Sequence, residues 1–229
     1  DSSFLYFFGI NRPGMTGVID LDSSEEYLFG DDVTMDDIIW MGPQPSVKDM
    51  AASIGVDNSG STQDLKTLVT TAARQRRQIH YLPPYRHDTM FALEEMLGIP
   101  AAGLKAKASL PLIKAVVDLR SVKEPCEIEE IERACDIGYE MHTTAMRLCK
   151  PGVKEQYIAG VLDGIAASYG SMTSFATILS QNGETLHNHY HGNILQTGKL
   201  MLTDAGAETV NNYCSDFTRT VPVGGRFTR

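Results

Sequence analysis

Basic residues are in short supply: 20 Lys and Arg against 29 Asp and Glu give the 229-residue chain a formal net charge of −9. Phosphate binding needs a basic face, so the balance argues against nucleic acid as a partner. Nowhere do about eighteen or more apolar residues run together, which argues against a membrane span. The first apolar run, in "DSSFLYFFGINRPG", has no basic segment ahead of it and does not read as a secretory signal. Cysteine is sparse too: Cys126, Cys135, Cys149 and Cys214 form no C-x-x-C pair and no regular framework. They read as reduced, mostly buried thiols of a cytoplasmic protein. There is no initiator methionine and the chain starts in a strand-like run, as expected of a piece that begins partway into a longer protein.

What is present is an ordinary globular composition, 42% hydrophobic and 21% charged, long enough for one large domain or two smaller ones. The first half alternates short strands and helices. "FLYFFGI" reads as a buried strand, "GVIDLD" and "EEYLFG" as a hairpin around a Ser-Ser turn, and "QIHYLP" as a strand. "TQDLKTLVTTAARQRR" and "HDTMFALEEMLG" read as helices, with "RQRR" a solvated end and Gly98 a stop. That alternation predicts an α/β domain. The pattern changes around Val117–Val122, which sets a domain boundary near residue 118. Pro125 suits the first turn of a helix running to about Cys149, where Pro151-Gly152 stops it. Ile128, Ile131, Cys135, His142, Ala145 and Cys149 are its expected apolar stripe, with His142 as a core residue. A helix from about Lys154 to Ser168 and three strands, "SFATIL", "KLMLTDAG" and "CSDFTRTVPV", follow.

The last two strands carry Asp204 and Asp216, each in an apolar stretch. In a hairpin with its tip near Val210 the two would lie directly opposite one another, with Leu200 and Leu202 sharing the face of Asp204 and Cys214, Thr218 and Thr220 that of Asp216. Two like charges so close repel unless a cation lies between them or one is protonated. Oxygen ligands at that separation suit a pair of divalent ions. The plainer alternative is that Asp204 caps a turn and Asp216 pairs with Arg219 or another cation.

"LTDAGAE" followed by "YCSDFTRTVPVGGRFT" resembles the metal-binding hairpin of the aminopeptidase P and Xaa-Pro dipeptidase (prolidase) family of pita-bread metallopeptidases. "LRSVKEPCEIEEIERACDI" resembles the entry to that family's catalytic domain, "CKPGVKE" its helix-to-helix turn, and "DSSFLYFFGINRPG" a strand of its N-terminal domain. The resemblance implies a creatinase-like N-terminal α/β domain over 1–117, its start missing, and the first half of a pita-bread domain over 118–229. It implies two divalent metal ions, manganese foremost and zinc or cobalt as alternatives. Asp204 matches the aspartate that chelates one ion, and Asp216 the one that bridges both. One His and two Glu complete the family's ligand set later in its chain, past Arg229. A chain ending there is expected to be truncated and inactive alone. The Asp-to-Asp interval is twelve here and usually eleven in the family; an extra residue near Val210-Asn211-Asn212 could be absorbed by a bulge.

"TLHNHYHGN" sets His187, His189 and His191 at period two, which on a strand would point all three one way, as in an H-x-H zinc site. The alternative is a solvated loop, favoured by Gly192-Asn193. Seventeen residues separate His187 from Asp204, as they do the family's substrate-side histidine from its aspartate, so the resemblance assigns His187 to substrate contact and proton transfer. A shift of two residues would give that role to His189. Trp40, in "DIIWMG", resembles a D-x-x-W-x-G segment whose indole lines the substrate groove of a neighbouring subunit; the alternative is a half-buried anchor. The implied protein is a cytoplasmic homo-oligomer, dimer or tetramer, that removes the N-terminal residue from peptides with proline second. The runner-up is a prolidase acting on dipeptides. From other classes, a metal-free creatinase or a non-catalytic peptide- or protein-binding module is disfavoured by the presence of both aspartates.

Overall fold

The structure, a computed structural model, describes residues 1–227. Thr228, the last residue of the matched hairpin motif, and Arg229 lie outside them. The chain divides into two compact units, Asp1–Ser121 and Val122–Arg229. Among the described residues no helix is long and apolar enough to cross a membrane.

The first unit opens with α1 (Ser2–Phe8), β1 (Thr16–Asp20), β2 (Glu25–Phe29), α2 (Met35–Met41), α3 (Val47–Ser53), β3 (Asn58–Gly60) and α4 (Thr62–Arg74). It continues through α5 (His87–Leu97), α6 (Ala101–Leu104) and α7 (Leu110–Ser121). The expected hairpin is there: β1 and β2 pair antiparallel, and β3 joins β2 in parallel. Three helix starts use one device. Thr34, Ser46 and Ser61 each cap a helix while Asp37, Asp49 and Asp64 reach back to the cap backbone. Leu28, Val47, Met50, Ala51 and Val56 form the buried cluster, with Phe4 and Phe8 packed against it.

Two expected strands are not strands. "FLYFFGI" forms α1, because the Asp1 carboxylate accepts from Ser3 N at 2.8 Å at one end and Gly9, at φ 66, ends the helix in the left-handed region. Phe4 and Phe8, one turn apart, stack at 5.3 Å, so helical spacing outweighs aromatic content. "QIHYLP" forms no strand; the Tyr81 hydroxyl donates to Leu104 O and the Tyr81 carbonyl accepts from Ser109 N. The basic run is also more than a solvated end. Arg77 pairs with Asp20 and Asp22 across the β1–β2 turn and holds the Asp20 carboxyl well below the usual carboxylate range.

The second unit comprises α8 (Pro125–Leu148), α9 (Glu155–Ser168), β4 (Ile178–Ser180), β5 (Leu200–Ala205) and β6 (Phe217–Pro222). Its sheet runs β4-β5-β6, antiparallel throughout. The buried face of α8 is Ala134, Ile137, Gly138, Met141, His142 and Ala145. The expected stripe holds only in part: Ile128 is 43% exposed and Cys135 half-buried, while Ala134, Ile137, Gly138 and Met141 are buried beside the expected His142 and Ala145. Of the four free cysteines only Cys149 is buried, which corrects the expectation of mostly buried thiols.

At Gly138, α8 packs closely against the hairpin. A Cβ there would lie 2.8 Å from the Phe217 ring and 3.0 Å from Ser215 Oγ. Gly138→Ala gains helix propensity of up to about 1 kcal/mol, but overpacking costs about 1–3 kcal/mol. The expected net effect in urea unfolding is destabilisation of up to about 2 kcal/mol; a stabilised variant would contradict this contact.

Candidate active site

β5 alternates between the core and an open face. Met201, Thr203, Ala205 and Ala207 are buried against α8 and α9, which turns Leu202 and Asp204 the other way. On β6 the ring of Phe217 goes to the α8 side, edge-on to His142 at 6.0 Å, so Asp216 and Thr218 share the face of Asp204. Behind that face, His142 Nε2 lies 3.1 Å from Ala205 O. His142 is thus a core residue, as expected, though its Nδ1 is buried without a partner among the described residues.

The two aspartates are not directly opposed. Asp204 pairs with Thr218 and Ala205 with Phe217, and the same register reaches the isolated bridge Glu208–Cys214. That register sets Asp216 across from Gly206, a diagonal neighbour of Asp204. The expected hairpin is two residues off because the tip is centred on Asn211, not Val210. Thr209 N donates to Tyr213 O at 2.7 Å, and Asn212, at φ 64, takes the left-handed position that Asn tolerates. The extra residue sits in this tip, not in a bulge. α8 grips it: the Tyr213 hydroxyl donates to Glu127 at 2.8 Å, and Asn211, then Thr209 and Arg133, hold the Glu130 carboxyl below its ordinary value.

Diagonal positions still bring aspartate side chains together where the strands run close. Gly206 permits that: a Cβ there would stand 1.8 Å from Ser215 O and 2.6 Å from Ser174 Oγ. Burial, then the Asp204 charge and a hydrogen bond shared with Asp204, push the Asp216 carboxyl above its ordinary value. Asp216 as a whole residue stays exposed, so repulsion by Asp204 is the part of this cost that a cation would remove. Among the described residues Asp204 Oδ1 is buried with no hydrogen-bond partner. Such an orphaned acceptor costs about 1–3 kcal/mol and more when charged. Neither aspartate has an ion pair among the described residues; Arg219 donates to Thr218 O and lies over Phe217 instead. Hard oxygen donors, one of them orphaned, fit a divalent cation. No three His, Cys, Asp or Glu among the described residues converge into a metal-binding group, the histidine run included.

Asp204 and Asp216 line a cavity of about 390 Å³ with His187, His189, Phe175, Ala176 and Ile178. Ile178 gets there by pairing with Asp204, and Phe175 because the strand-like bridge Thr173–Ala207 extends the sheet. The histidine run is not a strand. It follows turns from Gly183 to His187 and then runs irregularly to Asn193. Period two therefore does not align the three rings. His191 lies with both nitrogens near backbone carbonyls, 3.0 Å from Leu179 O and 3.1 Å from Thr177 O, docking the loop on the free edge of β4. His187 and His189 are left at the cavity. Trp40 belongs to the other unit, 88% exposed on α2, which removes the half-buried anchor reading. Phe175 and Ala176 do not stand out in the sequence as lining residues; the sheet extension through Thr173 reveals them.

Residues 129–229 match metallopeptidase family M24, and residues 1–81 match the N-terminal domain of aminopeptidase P. The Xaa-Pro aminopeptidase of Escherichia coli (strain K12) is 28% identical over 240 residues, covering 100% of this chain and 54% of its own length. A protein described as a probable Xaa-Pro aminopeptidase of Aspergillus niger is 29% identical, covering 98% and 49%. Among solved structures, the low-pH form of E. coli aminopeptidase P superposes with a TM-score of 0.83 at 26% identity, over 100% of this chain and 54% of that one. A zinc-substituted form of the same enzyme with product gives the same score, identity and coverage. The chain spans about half the length of the curated relatives it matches. With an aminopeptidase P N-terminal domain ahead of part of an M24 pita-bread domain, it belongs to the aminopeptidase P and prolidase family of metallopeptidases.

Proposed function

We propose that the complete protein removes the N-terminal residue from peptides with proline second, as a manganese-dependent Xaa-Pro aminopeptidase of the cytoplasm. The observation that carries this reading is the orphaned, buried Asp204 Oδ1 beside Asp216, at a cavity with two histidines. Asp204 and Asp216 would hold part of a divalent metal pair. Bound there, such ions supply Lewis acidity towards a peptide carbonyl and a nucleophile near neutral pH. Two carboxylates alone do not complete that site, so residues 1–229 by themselves are not the catalyst. The M24 match supports divalent metal as such, and the relatives' names support aminopeptidase over dipeptidase action.

His187 is the residue we assign to the substrate side. An exposed imidazole at the cavity can donate to a peptide carbonyl and pass a proton. Phe175 and Ile178 give the same cavity an apolar wall for a proline ring or its neighbour. Trp40, exposed and flanked by exposed Ile39 and Met41, suits a groove of a neighbouring subunit in a homo-oligomer.

Asp216→Ala in the complete protein is expected to lower kcat/KM on an Xaa-Pro peptide by at least about 10³-fold, the scale of losing metal assistance. Its circular dichroism should stay that of the wild type, since the change removes a repulsion. Near-wild-type turnover would refute the assignment. His187→Ala is expected to cost roughly 10²–10⁴-fold in kcat/KM with metal content unchanged. His191→Ala, which loses only loop docking, should cost less. If His189→Ala is the crippled variant instead, the role belongs to His189; loss of metal with any of the three changes would make the run a ligand set.

A further inference from the structure

Glu155, the first residue of α9, is 0% exposed and has no ion pair among the described residues. Burying a carboxylate is costly unless strong hydrogen bonds satisfy it. Both of its oxygens are used. Oε1 accepts from Gln181 N at 2.7 Å and from the Ser180 hydroxyl at 3.4 Å, and Oε2 accepts from Asn193 Nδ2 at 2.9 Å. Its own N–H donates to Asn193 O at 3.0 Å, and Gln156 N donates to His191 O at the same distance. The positive end of the α9 dipole favours a negative charge at this position.

Gln181 and Asn193 are the two ends of the segment that carries His187 and His189, a segment with no helix or strand of its own. One buried group therefore ties both ends. Ser180, 1% exposed, passes the link inward: its Oγ accepts from Asn182 N at 2.9 Å and from Asn188 Nδ2 at 3.4 Å. Asn188 stands between His187 and His189, and its Oδ1 accepts from Tyr190 N at 3.0 Å. A loop this polar has little apolar burial to hold its shape, so these charge-assisted bonds are what limit its conformations.

We propose that Glu155 is a positioning residue: its buried carboxylate fixes both ends of residues 181–193 and, through Ser180 and Asn188, sets His187 and His189 against the aspartate pair. The catalytic half of this inference rests on the hydrolytic role given to those histidines above; the clamp itself does not.

The test is a swap in the complete protein. Asn193→Asp sets a second carboxylate against Glu155 and is expected to break the clamp. Adding Glu155→Gln supplies the new carboxylate at position 193 with an amide donor, while the amide oxygen at position 155 still accepts from Gln181 N. In the single variant, amide exchange over 182–192 should accelerate at least about tenfold. Its kcat on an Xaa-Pro peptide should fall by about 10²-fold, the scale of a small misplacement, with manganese content unchanged. The double variant should recover both. Unchanged exchange in the single variant, or a folded double variant no better than the single, would overturn the clamp. Faster exchange with full kcat would overturn the positioning role. A wild-type protein that hydrolyses no Xaa-Pro peptide would refute the hydrolytic reading, and the exchange measurements would then decide the clamp alone.

Discussion

Two carboxylates held against one another on the same face of a strand pair repel, and the repulsion grows as water is withdrawn. A hairpin left to itself would relieve it by turning one side chain away or slipping its register. In this unit the second route is closed. Gly206 lets the strands run so close that a side chain would not fit, the tip is locked by Asn212 in the left-handed region, and α8 grips that tip through Glu127 and Glu130. Slipping the register by one would also turn Met201, Ala205 and Ala207 out of the core. The backbone thus keeps Asp204 and Asp216 in an arrangement whose cost a cation would relieve, which is how metal centres are preorganised.

The same division of labour appears around the cavity. The three histidines split their work by backbone path: His191 docks the loop to the edge of β4, while His187 and His189 stay at the cavity. Behind the carboxylate face, His142 touches the residues that follow each aspartate in sequence, Ala205 by a hydrogen bond and Phe217 by its ring edge. Buried polar groups here bond to backbone carbonyls or amides next to the functional side chains and leave the functional groups themselves open to ligand. That is the arrangement expected where rigid scaffolding supports a reactive surface.

The hairpin motif is legible because its two aspartates come with recognisable companions, the small residues after Asp204 and the Thr-Arg-Thr run after Asp216. The α8 start and stop are legible from Pro125 and Pro151-Gly152, and Gly98 closes α5 where a stop is expected. The register is not, because a twelve-residue interval fits two tip positions and the choice is made by contacts with α8, far away in sequence. α1 reads as a strand because aromatic content favours strands, while the Asp1 cap and the Phe4–Phe8 stack act only once the chain turns. Alternating histidines imitate a strand, yet a strand needs a neighbour, and the hydrogen bonds of that segment go to Glu155 and Ser180. Glu155 closes the "CKPGVKE" turn, but nothing in that segment marks it as a clamp, since an acidic residue in a first helical turn is ordinary.

Whether Asp204 and Asp216 hold divalent metal is tested most directly by anomalous scattering. Crystals of the complete protein grown with manganese would be measured near the manganese absorption edge. The expected result is anomalous peaks within coordination distance of both carboxylates, about 2.0–2.3 Å for hard oxygen ligands. Peaks elsewhere, or manganese-replete crystals with none beside Asp204 and Asp216, would contradict it.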